Sequence, residues 1–245
     1  MTTEVAEPQV EPPRGGNVYS RIAGVLFAPA ETFEDIVRRP GVIGPLLVFL
    51  AIGIVSALLM APRIDFESVK AAQAVQLKKR NVSDSDIARY QNVAVAGAKV
   101  AIWFSPLLGI VVYVIVAAIM WLAFRLMGGE GDFLQALSVT LYAWVPLAIY
   151  SLILAIVVVA HGSFDPVTAA TLVKSNPAFL VDQKAQPVLF ALASSFDVFT
   201  LWSLVLFTIG FATLSRLSRA MSAGIVITLW IVVVLLKMGQ AALTA

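Results

Sequence analysis

The 245-residue sequence has no cysteine and one histidine, His161. The first absence excludes disulfides and thiolate metal sites, and one imidazole without a cysteine beside it does not build a zinc site. Charge is scarce as well. Charged residues make up 13% of the chain, against about 25% in a soluble domain. The net charge of +2 is too small to point to nucleic acid, because the basic residues flank apolar runs instead of forming a patch. There is no P-loop and no dinucleotide fingerprint, so no cofactor is expected. Nucleophilic catalysis needs a base beside a nucleophile, and His161 stands at the end of an apolar run. The acidic pairs Glu34/Asp35 and Asp84/Asp86 fall where helix starts already account for them. The chain is therefore not expected to be an enzyme.

Hydrophobic residues are abundant, at 60% of the chain. They gather in runs of about 20, the length that crosses a hydrocarbon core about 30 Å thick. The fold class that follows is an all-α polytopic membrane protein, with a 42–245 domain of five transmembrane helices. The five candidate spans are Val42–Ala61, Val100–Phe124, Leu137–Ala160, Val198–Leu214 and Ala223–Leu243. Lys237 and Gln240 interrupt the last of these, and Lys237 is expected to snorkel toward the headgroups. The Gly-rich "RLMGGEGDF" predicts a tight turn and an antiparallel hairpin of spans two and three. "SDSD" at Ser83–Asp86 has the pattern of a capping box, from which a helix could continue into span two. Residues 161–187 carry Pro166, Pro177 and Pro187 and read as irregular.

Ahead of the spans, residues 1–16 read as an acidic, Pro-containing disordered tail. Residues 17–41 form an amphipathic segment. Val18, Ile22, Val25 and Leu26 recur at helical spacing, with Asn17 and Arg21 assigned to another face. After Pro29, Glu31, Glu34 and Asp35 come early and Arg38 and Arg39 late, which complements a helix dipole. Arg21, Arg38 and Arg39 are thus candidate membrane-surface residues, and the segment either lies on the bilayer or docks on the bundle. Loop charges alone do not orient the chain.

Four stretches carry a resemblance. They are "LFAPAETFEDIV", "GVIGPLL", "LYAWVPLAIYSLIL" and "FDVFTLWSLVLFTIGFATLSRLSRAMSAGIVITLW". In this order along five spans they resemble the Yip1 family in its compact prokaryotic form, over about residues 19–240. Gly44 and Pro45 match the Gly-Pro of the family's D-L-x-G-P motif, whose Asp-Leu is absent here, and Tyr142 and Pro146 match its Tyr and Pro in span three. The resemblance implies five spans, a cytoplasmic N-terminus and, for a prokaryotic member, a plasma (inner) membrane location. The binding of Rab-type GTPases known for eukaryotic relatives is not carried over, because most of their cytoplasmic domain is absent.

Asp197, against the apolar run that follows it, has two readings. It caps span four, or it lies within the bilayer on a helix starting near Pro187, where a carboxylate usually marks an ion or proton path. Pro106 and Pro146 remove backbone donors within spans two and three. Two functions remain. One is a non-enzymatic scaffold organising the lipid bilayer together with a membrane-protein partner or further copies of itself. The other is a small transporter or lipid-handling permease using Asp197 and the Pro-broken spans.

Overall fold

The computed structural model describes residues 16–166 and 169–244, so nearly all of the expected N-terminal tail lies outside the described residues. The described residues form eleven α-helices: α1 (Val18–Phe27), α2 (Pro29–Arg38), α3 (Ile43–Met60), α4 (Phe66–Lys79), α5 (Asp84–Leu126), α6 (Phe133–Ala143), α7 (Val145–His161), α8 (Ala169–Leu172), α9 (Pro187–Ala193), α10 (Val198–Ser215) and α11 (Arg219–Thr244). Two short 3-10 turns, Ala61–Arg63 and Pro177–Leu180, separate some of them. Among the described residues five segments are long and apolar enough to cross a bilayer: Ile43–Arg63, Asp84–Leu126, Phe133–His161, Val198–Ser215 and Arg219–Leu243. An odd number of crossings puts α1 and α2 on one face, here the near face, and the chain end on the far face.

The second span belongs to a helix of 43 residues, about 65 Å long and twice the hydrocarbon thickness. Ser83 caps it by accepting from the Asp86 N–H at 3.2 Å. Lys99 and Arg125 stand about 39 Å apart along its axis, close to the full bilayer thickness including headgroups of about 40–45 Å. No charged residue lies between them. Residues 84–98 therefore project beyond the headgroups on the far face, with α4 packed alongside.

The third span is two helices. Its break falls at Trp144, whose N–H is shared between the Thr140 and Leu141 carbonyls, both at 3.2 Å. Pro146 then stands in the first turn of α7, where its missing N–H leaves no gap. The break in span three therefore lies just before Pro146, not at it. Pro106 does stand inside α5. Its ring packs on Gly53 of α3, where an added Cβ would come within 3.0 Å of the Pro106 Cβ.

A line of rings crosses the bundle between α3, α5, the α6–α7 break and α10. Phe49 meets Tyr113 at 5.4 Å, Tyr113 meets Trp144 at 5.1 Å and Trp144 meets Phe207 at 6.0 Å. Phe207 stacks on Phe211, which meets Phe124 at 4.8 Å. Aromatic pairs at these separations add about 0.5–1.5 kcal/mol each beyond burial. On the far face the link after α7 is tied down by the parallel bridge Ile64–Phe164. There α9 packs on α11, while Phe190, Ala193 and Ala178 form a small satellite core.

Candidate functional site

The residues singled out in the sequence separate to the two ends of the bundle. At the near end, α1 and α2 fold back as a hairpin, and α2 wedges between α6 and α10. Phe33 and Ile36 are fully buried there. The wedge fits because position 210 of α10 is glycine: a Cβ would lie 2.6 Å from Val139 Cγ1 of α6 and 2.9 Å from Phe33 Cε1.

Under this wedge lies a buried polar latch. Arg21 is 8% exposed, so its assignment to the membrane surface is corrected. It stands one turn before Val25, the other buried residue of α1, and shares its face. Its Nε donates to Asp35 Oδ2 at 2.8 Å and its Nη1 to the Arg39 carbonyl at 3.0 Å. Tyr142, 1% exposed, lies against the same guanidinium. Gln135 serves twice: its Oε1 accepts from the Asp132 N–H in the capping box of α6, and its Nε2 donates to the Val37 carbonyl at 3.0 Å. The Gly41 N–H donates to Ser138 Oγ at 3.3 Å. Gly44 and Pro45 sit beside the latch at the start of α3. A Cβ at Gly44 would meet the Val18 side chain at 3.1 Å, and Pro45 is buried in the first helical turn, where proline is tolerated. Arg38 and Arg39 remain exposed at the end of α2, with Arg38 paired to Glu34 at 3.5 Å.

Asp197 sits at the far end, about 20 Å along α10 from Gly210. It is the N-cap of α10: Oδ1 accepts from the N–H groups of Phe199 at 2.9 Å and Thr200 at 3.2 Å. Its other oxygen accepts the Ser175 hydroxyl, and the Val198 N–H donates to the Ser175 carbonyl at 3.1 Å. The turn 194–197 separates α9 from α10, so no continuous helix runs from Pro187 through Asp197. Lys237 donates to Ser195 Oγ at 3.4 Å beside this cap. Among the described residues no three His, Asp or Glu side chains gather as a metal site requires.

Between α3, α5 and α7 a cleft of about 750 Å³ opens within the span region. Its walls are mainly apolar, with Pro106 on one side and Trp144 at its inner end. Neither Pro146 nor Asp197 lines it. The three groups expected to shape a conduit do not meet.

The hairpin docked at the start of α3, the broken third span and two further spans joined by a short turn at the near face form one ordered pattern, and the Yip1 domain matches it over residues 23–239. The chain belongs to the Yip1 domain family. Membrane protein YknW of Bacillus subtilis (strain 168) is 26% identical over 200 residues, covering 80% of this chain and 79% of its own length. No solved structure matches significantly. The latch is the part of this Yip1 domain protein that the sequence concealed. Pairing Arg21 with Val25 at i,i+4, and seeing Asp35 on the buried side of α2 near Phe33 and Ile36, was the signal available.

Proposed function

We propose that this Yip1 domain protein is a non-enzymatic membrane scaffold. Its five spans would present lateral surfaces to lipid and to other membrane proteins or copies of itself. The observation behind this reading is how little of the spans the bundle itself covers. In the most apolar windows of the first, second and fifth spans 17% of residues are buried, against 39% in the fourth. Leu47 on α3 and Leu236 on α11 are 60% and 68% exposed. Asp197 supports the same reading, since a carboxylate engaged by two N–H groups and a hydroxyl at a rim is committed to structure. In native membranes, photocrosslinkers at positions 47 and 236 are expected to capture the same discrete protein adduct or self-adduct, which a crosslinker at buried Phe211 does not. Lipid adducts alone at both positions would remove the scaffold reading.

The cleft beside Pro106 supports a second reading, a lipid-handling permease in which Asp197, outside the cleft, would act as the remote coupling carboxylate. Asp197→Asn separates the two. A scaffold keeps its abundance and its adducts, because asparagine also caps helices. A permease driven through this carboxylate loses lipid or solute flux in proteoliposomes. The family resemblance further suggests that the near face, with α1 and α2, is cytoplasmic and that the membrane is the plasma membrane. A reporter fused after Ala245 is then expected to signal from the extracytoplasmic side.

A further inference from the structure

The α3/α5/α7 cleft has features that an ordinary lipid-facing groove lacks. Ser56 lines it, and its Oγ is buried with no hydrogen-bond partner. A serine within a membrane helix normally bonds back to the carbonyl one turn earlier. Ser105 and Ser151, the other two serines of the lining, bond in this way to the carbonyls of Ile102 at 2.7 Å and Ala148 at 2.8 Å. Other buried hydroxyls lack partners too, on Thr140, Ser203 and Ser222, but Ser56 is the one in the cleft.

A cation stands at the far-face end of this wall. Arg63 ends the 3-10 turn after α3, between Ala61 and Ile64, which both line the cleft. Its side chain folds back so that Nη1 donates to the Leu59 carbonyl at 2.6 Å. The guanidinium thus lies roughly 5 Å outward of the Ser56 level, one helical turn. Lys99 follows Ala98, which lines the α5 side of the cleft, and its exposed side chain places Nζ over the Phe66 ring at 5.3 Å. Among the described residues neither cation makes an ion pair. Two carboxylates follow the paired residues Ile64 and Phe164. Asp65 is turned into the start of α4, which it caps through the Glu67 and Ser68 N–H groups, and Asp165 has interactions of its own.

We propose that this cleft is a specific site for one anionic phospholipid from the far leaflet. An acyl chain fills the part of the cleft that runs inward from Ser56 toward Tyr113 and Trp144, beside the closed Gly53–Pro106 contact. The phosphate lies against Arg63 and Lys99, and an ester carbonyl accepts the Ser56 hydroxyl. The depth order is that of a glycerolipid: phosphate at the cations, ester one turn deeper, hydrocarbon below. Basic pockets between spans are a general means of selecting anionic headgroups. Two charge-assisted contacts at the rim of the cleft account for selectivity over a zwitterionic lipid.

The test uses the full chain in nanodiscs of mixed phosphatidylglycerol and phosphatidylcholine, followed by native mass spectrometry after controlled delipidation. The wild type is expected to keep one phosphatidylglycerol. Ala101→Phe, which fills the cleft, should lower its retention at least tenfold, while Leu107→Phe on the outward face of α5 should not. The double variant Arg63→Gln/Lys99→Gln leaves the helices intact and should reduce the preference for phosphatidylglycerol over phosphatidylcholine at least fivefold. An unchanged preference in that variant overturns the proposal whether or not Ala101→Phe folds. Equal loss in Ala101→Phe and Leu107→Phe overturns it as well, because the lipid is then merely annular.

Discussion

Replacing Asp35 by alanine leaves the Arg21 guanidinium buried without its carboxylate. The Arg21 side chain is 9% exposed and that of Asp35 33%. Removing one partner of a fully buried pair costs about 3–5 kcal/mol, and the partial exposure of Asp35 lets water replace some of what is lost, which lowers the cost to about 2 kcal/mol. That is about a 30-fold rise in the population with the hairpin undocked. Undocking remains a minor state, because Phe33 and Ile36 each contribute about 1.5–3 kcal/mol by burial and are untouched. Hydrogen exchange of the α1 and α2 amides in nanodiscs reads this population directly. Exchange should accelerate about 30-fold in Asp35→Ala, and the double variant Arg21→Met/Asp35→Leu should return close to wild type, because an apolar pair of similar size replaces a buried ion pair at little cost. Wild-type exchange in Asp35→Ala, or a double variant as labile as the single one, would refute the latch.

Three further outcomes follow from the same geometry. Gly210→Val should displace α2, since its Cβ would meet Val139 and Phe33 at 2.6 and 2.9 Å. Its signature is protease sensitivity confined to residues 17–41, with the spans intact. Asp197→Ala should lose the cap of α10, about 1–2 kcal/mol, or roughly 2–8 °C in Tm for a chain of this size. Asp197→Asn should keep most of that stability, whereas equal damage from both variants would show that the charge itself is needed. Arg216 ends α10 at φ 58° and pairs with Glu130 while both side chains are largely exposed. Arg216→Gly relieves about 1 kcal/mol of left-handed strain and forfeits an exposed ion pair worth about 0–1 kcal/mol, so Tm should hold or rise. A fall would mean that the pair outweighs the strain.

The spans were legible because a bilayer imposes a length on any helix that crosses it. The five apolar runs needed no knowledge of packing. The extension of α5 was legible in part through Ser83, a local cap that acts within one turn. The latch was not legible, since burial of Arg21 depends on Asp35, Tyr142 and the Arg39 carbonyl arriving from 14 to 121 residues away. A charged residue on a short amphipathic helix reads as its wet face until those partners are in place. The break at Trp144 was hidden for a related reason. Proline marks a helix interruption without saying on which side it falls, and here Pro146 opens the second helix. Asp197 carried two readings because the sequence could not say where the helix before it ended, and that depends on the turn after Ala193.

The same physics separates what holds the spans from what holds the hairpin. Burying a leucine between two membrane helices gains little, since lipid is as apolar as the interface, and association there rests on fit. The ring line through Tyr113 and Trp144 and the close approaches at Gly53 and Gly210 supply that fit. The hairpin has a different reference state. The outer side of α2 carries Glu31, Glu34 and Arg38, all exposed, so released α2 would face water or headgroups, and burial of Phe33 and Ile36 gains the full hydrophobic term. Its docking free energy is therefore sensitive to agents that weaken burial from water, such as urea, and to anything that binds Phe33 or the Arg21–Asp35 pair, while the span contacts are insensitive to both. If the bundle has a movable part, these energetics assign it to α1 and α2. Adding urea should then accelerate exchange in α1 and α2 more than in α6 and α10, and equal acceleration in all four would place the hairpin inside the same cooperative unit as the spans.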